Sequence, residues 1–228
     1  MINTAIFDLD GTLVVIKIDY AALRGEVLQT LKEFGVPDSL LDERRVLVIL
    51  ENVRNYLASR NEVGLFVEIK NKIYSIVDDY EINAAKMTEI IPGTVEALKF
   101  VKERGFKMGL CSVSGEKAAS LALDRFQLKS FFDAVITREY TPKPKPFVDH
   151  LETVLKTLHA KPNESVVVGD SIIDMIPAKA LNILAVGVSS GVFARSPEEL
   201  SKAGATYIIP SIKALPELLV QILEPLPD

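Results

Sequence analysis

Four short apolar segments of this chain are each followed by polar side chains of types that could do chemistry. A pair of carboxylates, Asp8 and Asp10, comes directly after the first segment, and the hydroxyl of Ser112 follows the second. Lysines follow the third segment, and another carboxylate, Asp170, follows the fourth. Carboxylate oxygens without histidine or cysteine ligands favour a hard cation such as Mg²⁺. Because a cation, a lysine and a hydroxyl together would neutralise the oxygens of a phosphoryl group, this set of residues predicts phosphoryl chemistry.

The segments that precede these residues have the character of buried strands. They are short and apolar, turn residues bound them, and helical patterns separate them. Strands that alternate with helices predict an α/β fold with a Rossmann-like parallel sheet and right-handed crossovers. Ligands of such sheets bind beyond the carboxyl ends of the strands, so we expect the polar residues to converge on one site. The six predicted strands are residues 4–7, 107–111, 134–137, 165–168, 183–188 and 206–209.

Residues 14–91 interrupt the alternation with helical patterns alone. Leu23, Val27 and Leu31 form an apolar stripe that marks the first of three predicted helices. We interpret this stretch as an inserted, all-helical cap domain that packs over one end of the sheet. The predicted Rossmann-like catalytic core is the remainder of the chain, residues 1–13 and 92–228.

Composition and charge argue against several other classes of protein. The chain has 228 residues, of which 48% are hydrophobic and 25% charged, as in ordinary globular proteins. Its net charge of −5 does not favour a nucleic-acid partner, because phosphate backbones are bound by clustered lysines and arginines. One cysteine, Cys111, and two histidines, His150 and His159, argue against a disulfide framework and a zinc site. We expect Cys111 to be buried by packing and both histidines to lie on the surface.

Membrane and export signals are not evident in the sequence. No segment has the roughly 20 mostly apolar residues that a spanning helix needs, and the amino terminus lacks a basic run before an apolar one. We therefore predict a cytoplasmic protein without nucleic-acid or membrane partners. The phosphoryl chemistry predicted above makes a small phosphorylated metabolite the expected partner. A monomer or a weak dimer is expected.

Four motifs, in this order along the whole chain, resemble those of the haloacid dehalogenase superfamily of phosphatases. They are Asp8-Leu9-Asp10-Gly11-Thr12, then Ser112, then Lys143-Pro144-Lys145-Pro146, and finally Gly169-Asp170-Ser171 with Asp174. The helical insertion and the segment Ile91-Pro92-Gly93 also resemble the phosphoglycolate phosphatase branch of that superfamily. The resemblance implies Mg²⁺-dependent hydrolysis of a small phosphate monoester through an aspartyl-phosphate, with phosphoglycolate as a candidate substrate.

The resemblance also implies roles for the acidic residues. Asp8 is expected to be the nucleophile, and Asp10 to protonate the leaving oxygen and then deprotonate the attacking water. The Mg²⁺ ion is expected to be held by Asp8, Asp170 and the backbone carbonyl of Asp10. Asp174 is expected to position a metal-bound water or Lys143.

The phosphoryl oxygens are expected to be held by Ser112, the backbone N–H of Val113, and Lys143. The resemblance implies that Lys143 also pairs with Asp8, and we interpret Lys145 as the solvated lysine of the two. The second motif departs from the family pattern, which often has Thr-Asn where this chain has Ser112-Val113. Serine keeps the hydroxyl, so we expect activity to survive with altered substrate contacts.

Other functions remain open at this point. A phosphomutase of the β-phosphoglucomutase type would use the same aspartates and return the phosphoryl group to a second hydroxyl. A haloacid dehalogenase is less favoured, because that chemistry needs neither a metal nor the acid at Asp10. A non-enzymatic phospho-receiver would be a bare sheet of about half this length, and a non-catalytic binding module would not need every motif residue.

Overall fold

The computed structural model describes residues 2–43, 45–190 and 195–224. The chain divides into two compact units. One unit is Met1–Ile16 with Ala85–Asp228, and the other is Lys17–Ala84.

A six-stranded, entirely parallel sheet is the centre of the first unit, and a separate two-stranded antiparallel ribbon accompanies it. The strands are β1 (Thr4–Phe7), β2 (Val14–Val15), β3 (Glu89–Ile90), β4 (Lys107–Cys111), β5 (Ala134–Ile136), β6 (Ser165–Gly169), β7 (Leu184–Val188) and β8 (Tyr207–Ile209). The sheet has the order β5-β4-β1-β6-β7-β8, and the ribbon pairs β2 with β3. The parallel sheet confirms the predicted α/β fold.

Helices of both units follow the apolar periodicity of the sequence. In the second unit Leu23, Val27 and Leu31 are buried together, which confirms the predicted stripe. Within the ranges given above, none of the helices is long and apolar enough to cross a membrane. The helices are α1 (Tyr20–Glu33), α2 (Val46–Ser59), α3 (Val63–Ala85), α4 (Thr94–Glu103), α5 (Glu116–Arg125), α6 (Val148–Leu158), α7 (Ile172–Ala180), α8 (Pro197–Ala203) and α9 (Leu215–Leu223).

The register of the central strands places their carboxyl ends side by side. Phe7 of β1 pairs with Leu110 of β4 on one side and with Val168 of β6 on the other. All four residues of β1 and all five of β6 are buried, as expected for central strands that are covered on both faces. The residues that follow these pairs therefore leave the sheet at one edge.

The β2-β3 ribbon belongs to the first unit, so the second unit is shorter than the predicted insertion of residues 14–91. Val14 pairs with Ile90, and the carbonyl of Leu13 accepts hydrogen bonds from the backbone N–H of Ile91 and the hydroxyl of Thr94. These bonds tie both connecting segments to the sheet-containing unit. Strands of two residues have too little pattern to be predicted from sequence.

Candidate active site

Three carboxylates lie together at the carboxyl edge of the sheet. Carboxylate oxygens of Asp8, Asp170 and Asp174 lie within 4.8 Å of one another, and all three residues are buried. Asp8 follows β1, Asp170 follows β6, and Asp174 lies in the first turn of α7. The predicted convergence of the first and fourth motifs is therefore what the structure shows.

The ammonium group that pairs with Asp8 belongs to Lys145 and not to Lys143. Lys145 Nζ lies 2.7 Å from Asp8 Oδ1 and 2.5 Å from Asp174 Oδ1, and its side chain is 1% exposed. Lys143 is only half-buried, and its Nζ lies 5.3 Å from the centre of the Phe147 ring. The expectation that Lys143 pairs with Asp8 while Lys145 is solvated was therefore wrong. The lysine that Asp174 positions is likewise Lys145.

The error arose because a Lys-Pro pair occurs twice in succession, at residues 143–144 and 145–146. The two pairs look equal in the sequence, and only the packing of α6 separates them. The backbone N–H of Lys145 donates to Nδ1 of His150, which lies in the first turn of that helix. His150 is fully buried, so its predicted surface position was also wrong, whereas His159 is exposed as expected.

Burial and charge together set the protonation of this cluster. Burial alone would lower the pKa of Lys145, but the carboxylates of Asp174 and Asp8 outweigh that effect and hold its pKa above the ordinary value. Burial raises the pKa of Asp170, and the charges of Asp8 and Asp174 raise it further. Burial also raises the pKa of Asp174, against the opposing effect of Lys145. Full ionisation of three carboxylates beside one ammonium would leave an excess of buried negative charge, and the raised pKa values of Asp170 and Asp174 reflect that excess.

The chemistry of these donors fits a hard divalent cation. Lys145 contacts one oxygen of Asp8 and one of Asp174. The other oxygen of Asp174 accepts from the backbone N–H of Ser171 at 3.2 Å, whereas that of Asp8 lies 3.4 Å from the hydroxyl of Thr12, so Asp8 and Asp170 are the better ligands. Asp170 lies against the backbone of Gly11, where an added Cβ would come within 2.2 Å of Asp170 Oδ2. Gly11 also has a φ of +86°, so both space and backbone conformation require glycine there.

Asp10 has a different environment from Asp8. It is half-buried, and its Oδ1 accepts a hydrogen bond of 2.7 Å from the backbone N–H of Ile16. The chain folds back to make this contact, because the N–H groups of Leu13 and Val14 both donate to the carbonyl of Leu9. The side chain of Asp10 is thus oriented by Ile16, which is the last residue of the first unit before the second unit begins at Lys17.

The second motif is held by an arginine that sequence reasoning did not single out. Ser112 Oγ accepts from the backbone N–H of Ser114 at 3.1 Å. The carbonyl of Val113 accepts from Arg138 Nη1 at 3.0 Å, and Arg138 is 1% exposed. The sequence did place Arg138 directly after the predicted strand 134–137, and therefore at the carboxyl edge of the sheet where the other site residues were expected.

Cys111 ends β4 and is buried, as predicted. Burial raises the pKa of this thiol to about 12, so it stays protonated near neutral pH. A protonated thiol is a poor nucleophile, and Cys111 is a packing residue.

Comparison with known proteins identifies the family. Residues 5–188 match the model of the haloacid dehalogenase-like hydrolases. The chain is 30% identical over 200 residues to a haloacid dehalogenase-like hydrolase domain-containing protein from Arabidopsis thaliana, covering 87% of this chain and 72% of the relative. It is 27% identical over 230 residues to phosphoglycolate phosphatase from Caulobacter vibrioides, covering 98% of this chain and 93% of that enzyme.

Solved structures share the fold. A hydrolase from Pseudomonas syringae superposes with a TM-score of 0.67 at 23% identity, over 96% of this chain and 98% of the other. A phosphatase of the same superfamily from Thermococcus onnurineus superposes with a TM-score of 0.60 at 23% identity, over 96% and 98% of the two chains. This protein therefore belongs to the haloacid dehalogenase-like hydrolase family, as the motif resemblance implied.

The free energy of unfolding should show which of the two lysines, Lys143 or Lys145, is the buried cation. We expect Lys145→Met to lower the free energy of unfolding by about 3–5 kcal/mol, since it leaves buried carboxylates without their cation. Lys143→Met should cost about 1 kcal/mol or less, because the interactions of a half-exposed charge are screened by water. Urea denaturation in EDTA measures both values. Equal losses in the two variants would contradict the assignment of the buried cation to Lys145.

Proposed function

We propose that this protein hydrolyses a small phosphate monoester through an aspartyl-phosphate formed on Asp8. The observation that supports this proposal is the buried cluster in which Lys145 contacts both Asp8 and Asp174, with Asp170 beside them. When the Asp8 carboxylate approaches a phosphoryl group, two negatively charged groups are brought together. The ammonium of Lys145, held beside Asp8, would reduce their repulsion. The family match supports hydrolysis as the reaction class.

In the first half of the reaction, Asp8 forms a bond to phosphorus and the bond from phosphorus to the leaving oxygen breaks. Lys145 holds Asp8 Oδ1, and the hydroxyl of Thr12 lies 3.4 Å from Oδ2, so the carboxylate is restrained at both oxygens. The side chain of Asp10 gives its proton to the leaving oxygen, which departs as an alcohol. Ser112 and the backbone N–H of Val113 are proposed to hold phosphoryl oxygens.

In the second half, water attacks the phosphorus of the aspartyl-phosphate. Asp10, now a carboxylate, takes a proton from that water, the acyl-phosphate bond breaks, and Asp8 is regenerated with release of inorganic phosphate. The hydrogen bond from the backbone N–H of Ile16 keeps Asp10 in one orientation for both proton transfers.

We propose Mg²⁺ as the cofactor, held by Asp8, Asp170 and the backbone carbonyl of Asp10. The donors are carboxylate and carbonyl oxygens, the excess of buried carboxylates needs a cation, and hard oxygen ligands favour Mg²⁺. When bound, the ion would supply positive charge to the oxygens of the transferred phosphoryl group.

Phosphoglycolate is the first substrate to test, because relatives of this chain that are aligned over nearly their whole length carry that activity in their names. A panel of phosphorylated metabolites with inorganic phosphate release as the readout tests this choice. A parallel assay for phosphoryl transfer between sugar hydroxyls tests the phosphomutase alternative. We keep a cytoplasmic location, and a monomer or a weak dimer, as predictions.

Asp8→Asn should abolish turnover while leaving the fold intact. An amide has nearly the shape of the carboxylate, but it is a poor nucleophile. Steady-state phosphate release and a far-UV circular dichroism spectrum, both against wild type, check this expectation. A folded variant with a wild-type kcat would show that Asp8 is not the nucleophile.

Asp170→Asn should separate metal binding from stability. The variant replaces a buried carboxyl group, whose ionisation burial and neighbouring charges oppose, with a neutral amide. We therefore expect its Tm in EDTA to equal or exceed that of wild type, with each kcal/mol worth roughly 2–4 °C. Mg²⁺ should raise the Tm of wild type but not that of the variant. Thermal unfolding with EDTA and with Mg²⁺ measures both effects, with the exposed Asp124→Asn as the control. A full Mg²⁺ response in Asp170→Asn would remove Asp170 from the metal site.

Asp10→Asn should affect alkyl phosphates far more than activated aryl phosphates. Nitrophenolate leaves without a proton, so the phosphorylation of Asp8 is partly spared, whereas hydrolysis of the intermediate loses its base. We expect a burst of nitrophenol followed by a slow steady state, with turnover of alkyl substrates reduced about 10²–10⁴-fold. Rapid-quench kinetics on both substrate types is the measurement. Equal losses without a burst would exclude Asp10 as the acid and base.

A further inference from the structure

A fully buried imidazole lies directly behind the lysine of the active site. His150 lies in the first turn of α6 and is 0% exposed. Its Nδ1 lies 3.1 Å from the backbone nitrogen of Lys145, and its Nε2 lies 3.1 Å from the carbonyl oxygen of Ile136. The proposed reaction gives His150 no role, and the sequence motifs do not include it.

The two contacts define the state of the ring. A backbone N–H can only donate, so Nδ1 of His150 must accept from Lys145 and carry no proton. Nε2 then carries the proton and donates it to the carbonyl of Ile136. Burial, helped by the charge of Lys145, lowers the pKa of His150 to about 3, so the ring is neutral across the physiological range.

The carbonyl of Ile136 links this ring to the second motif as well. That oxygen also accepts a hydrogen bond of 3.0 Å from the backbone N–H of Ser112. A continuous path therefore runs from Ser112 through the end of β5 and the imidazole of His150 to the backbone of Lys145. In this path His150 contributes its side chain, and the other members contribute backbone groups.

We propose that His150 is a positioning residue, which sets where the Lys145 backbone lies relative to Ser112 and so aims the ammonium at Asp8. The hydrogen bond between the Lys145 N–H and His150 Nδ1 fixes the backbone that carries the Lys145 side chain. The bond from His150 Nε2 to the carbonyl of Ile136 fixes the orientation of the imidazole ring. Lys145 lies in a turn closed by the hydrogen bond from the backbone N–H of Phe147 to the carbonyl of Pro144, and not in a helix or strand. The bond to His150 ties this turn to α6. This inference rests on the proposed phosphatase function.

Two amide substitutions separate the two bonds of the ring. His150→Asn places its terminal amide near Nδ1, so it can still accept from Lys145, but it loses the donor to Ile136. His150→Gln places its amide near Nε2, so it keeps the donor and loses the acceptor for Lys145. A purely structural imidazole would make the two variants alike in kcat once both are folded.

We expect His150→Gln to lower kcat by up to about 10²-fold, with a smaller change in KM, because displacing a charged group by about 1 Å can have that effect. His150→Asn should retain a kcat much nearer to that of wild type, even where its Tm is lower. His159→Asn, an exposed histidine just after the same helix, is the matched control and should leave kcat unchanged. Steady-state kinetics well below each Tm gives the comparison.

Several outcomes would overturn the inference. Wild-type kcat in folded His150→Gln is one, and a loss in His150→Asn as large as that in His150→Gln is another. If His150→Gln does not fold, nuclear magnetic resonance of wild type decides: a scalar coupling between the Lys145 amide nitrogen and His150 Nδ1 supports the bond, and a protonated Nδ1 refutes it. If the wild-type protein hydrolyses no monoester of the panel, the proposed function is contradicted. The scalar coupling between the Lys145 amide nitrogen and His150 Nδ1 still tests the hydrogen bond, because its measurement does not depend on activity.

Discussion

Three carboxylates and one ammonium, buried together where the parallel strands end, are the constraint on which the rest of this structure depends. Like charges that are removed from water repel strongly and lose their hydration, so such a cluster persists only where rigid surroundings hold it. Lys145 offsets part of the charge of Asp8 and Asp174. The carboxyl groups that Lys145 does not neutralise are what makes the site suited to the divalent cation proposed above.

The parallel sheet supplies that rigidity. Because β1 lies between β4 and β6 in one register, the residues after Phe7, Leu110 and Val168 leave the sheet at neighbouring points. Both faces of the central strands are covered, so the edge cannot shift without disturbing the core. The carboxylate of Asp170 also lies close to the backbone of Gly11, in space that any side chain at position 11 would occupy.

Residues that surround the carboxylates hold the segments of the site in place through hydrogen bonds to or from backbone groups. Arg138 holds the carbonyl of Val113, His150 holds the N–H of Lys145, and Ile16 holds the carboxylate of Asp10. Each of these contacts fixes one segment that the phosphoryl chemistry would use. Misplacement of a reacting group by about 1 Å is costly in catalysis, so contacts of this kind matter even though they touch no substrate.

Local composition determined most of what could be predicted about this protein. Short apolar runs followed by Asp8, Ser112 and Asp170 predicted the strands, the α/β class and the convergence of the acidic motifs, because strands and turns have local signatures. The apolar stripe of α1 likewise identified a helix of the second unit from spacing alone.

Only the tertiary structure decided which of two identical Lys-Pro pairs provides the buried cation. Lys143 and Lys145 have the same chemistry and nearly the same neighbours in sequence, and the choice depends on the packing of α6, which buries His150 against Lys145 and Ile136. Arg138 was missed for a related reason. Its position after β5 places it at the carboxyl edge of the sheet, but its neighbours in sequence do not show that its side chain is buried. Long-range packing sets the burial of a charged side chain, and the pattern of its neighbours in the sequence does not carry that information.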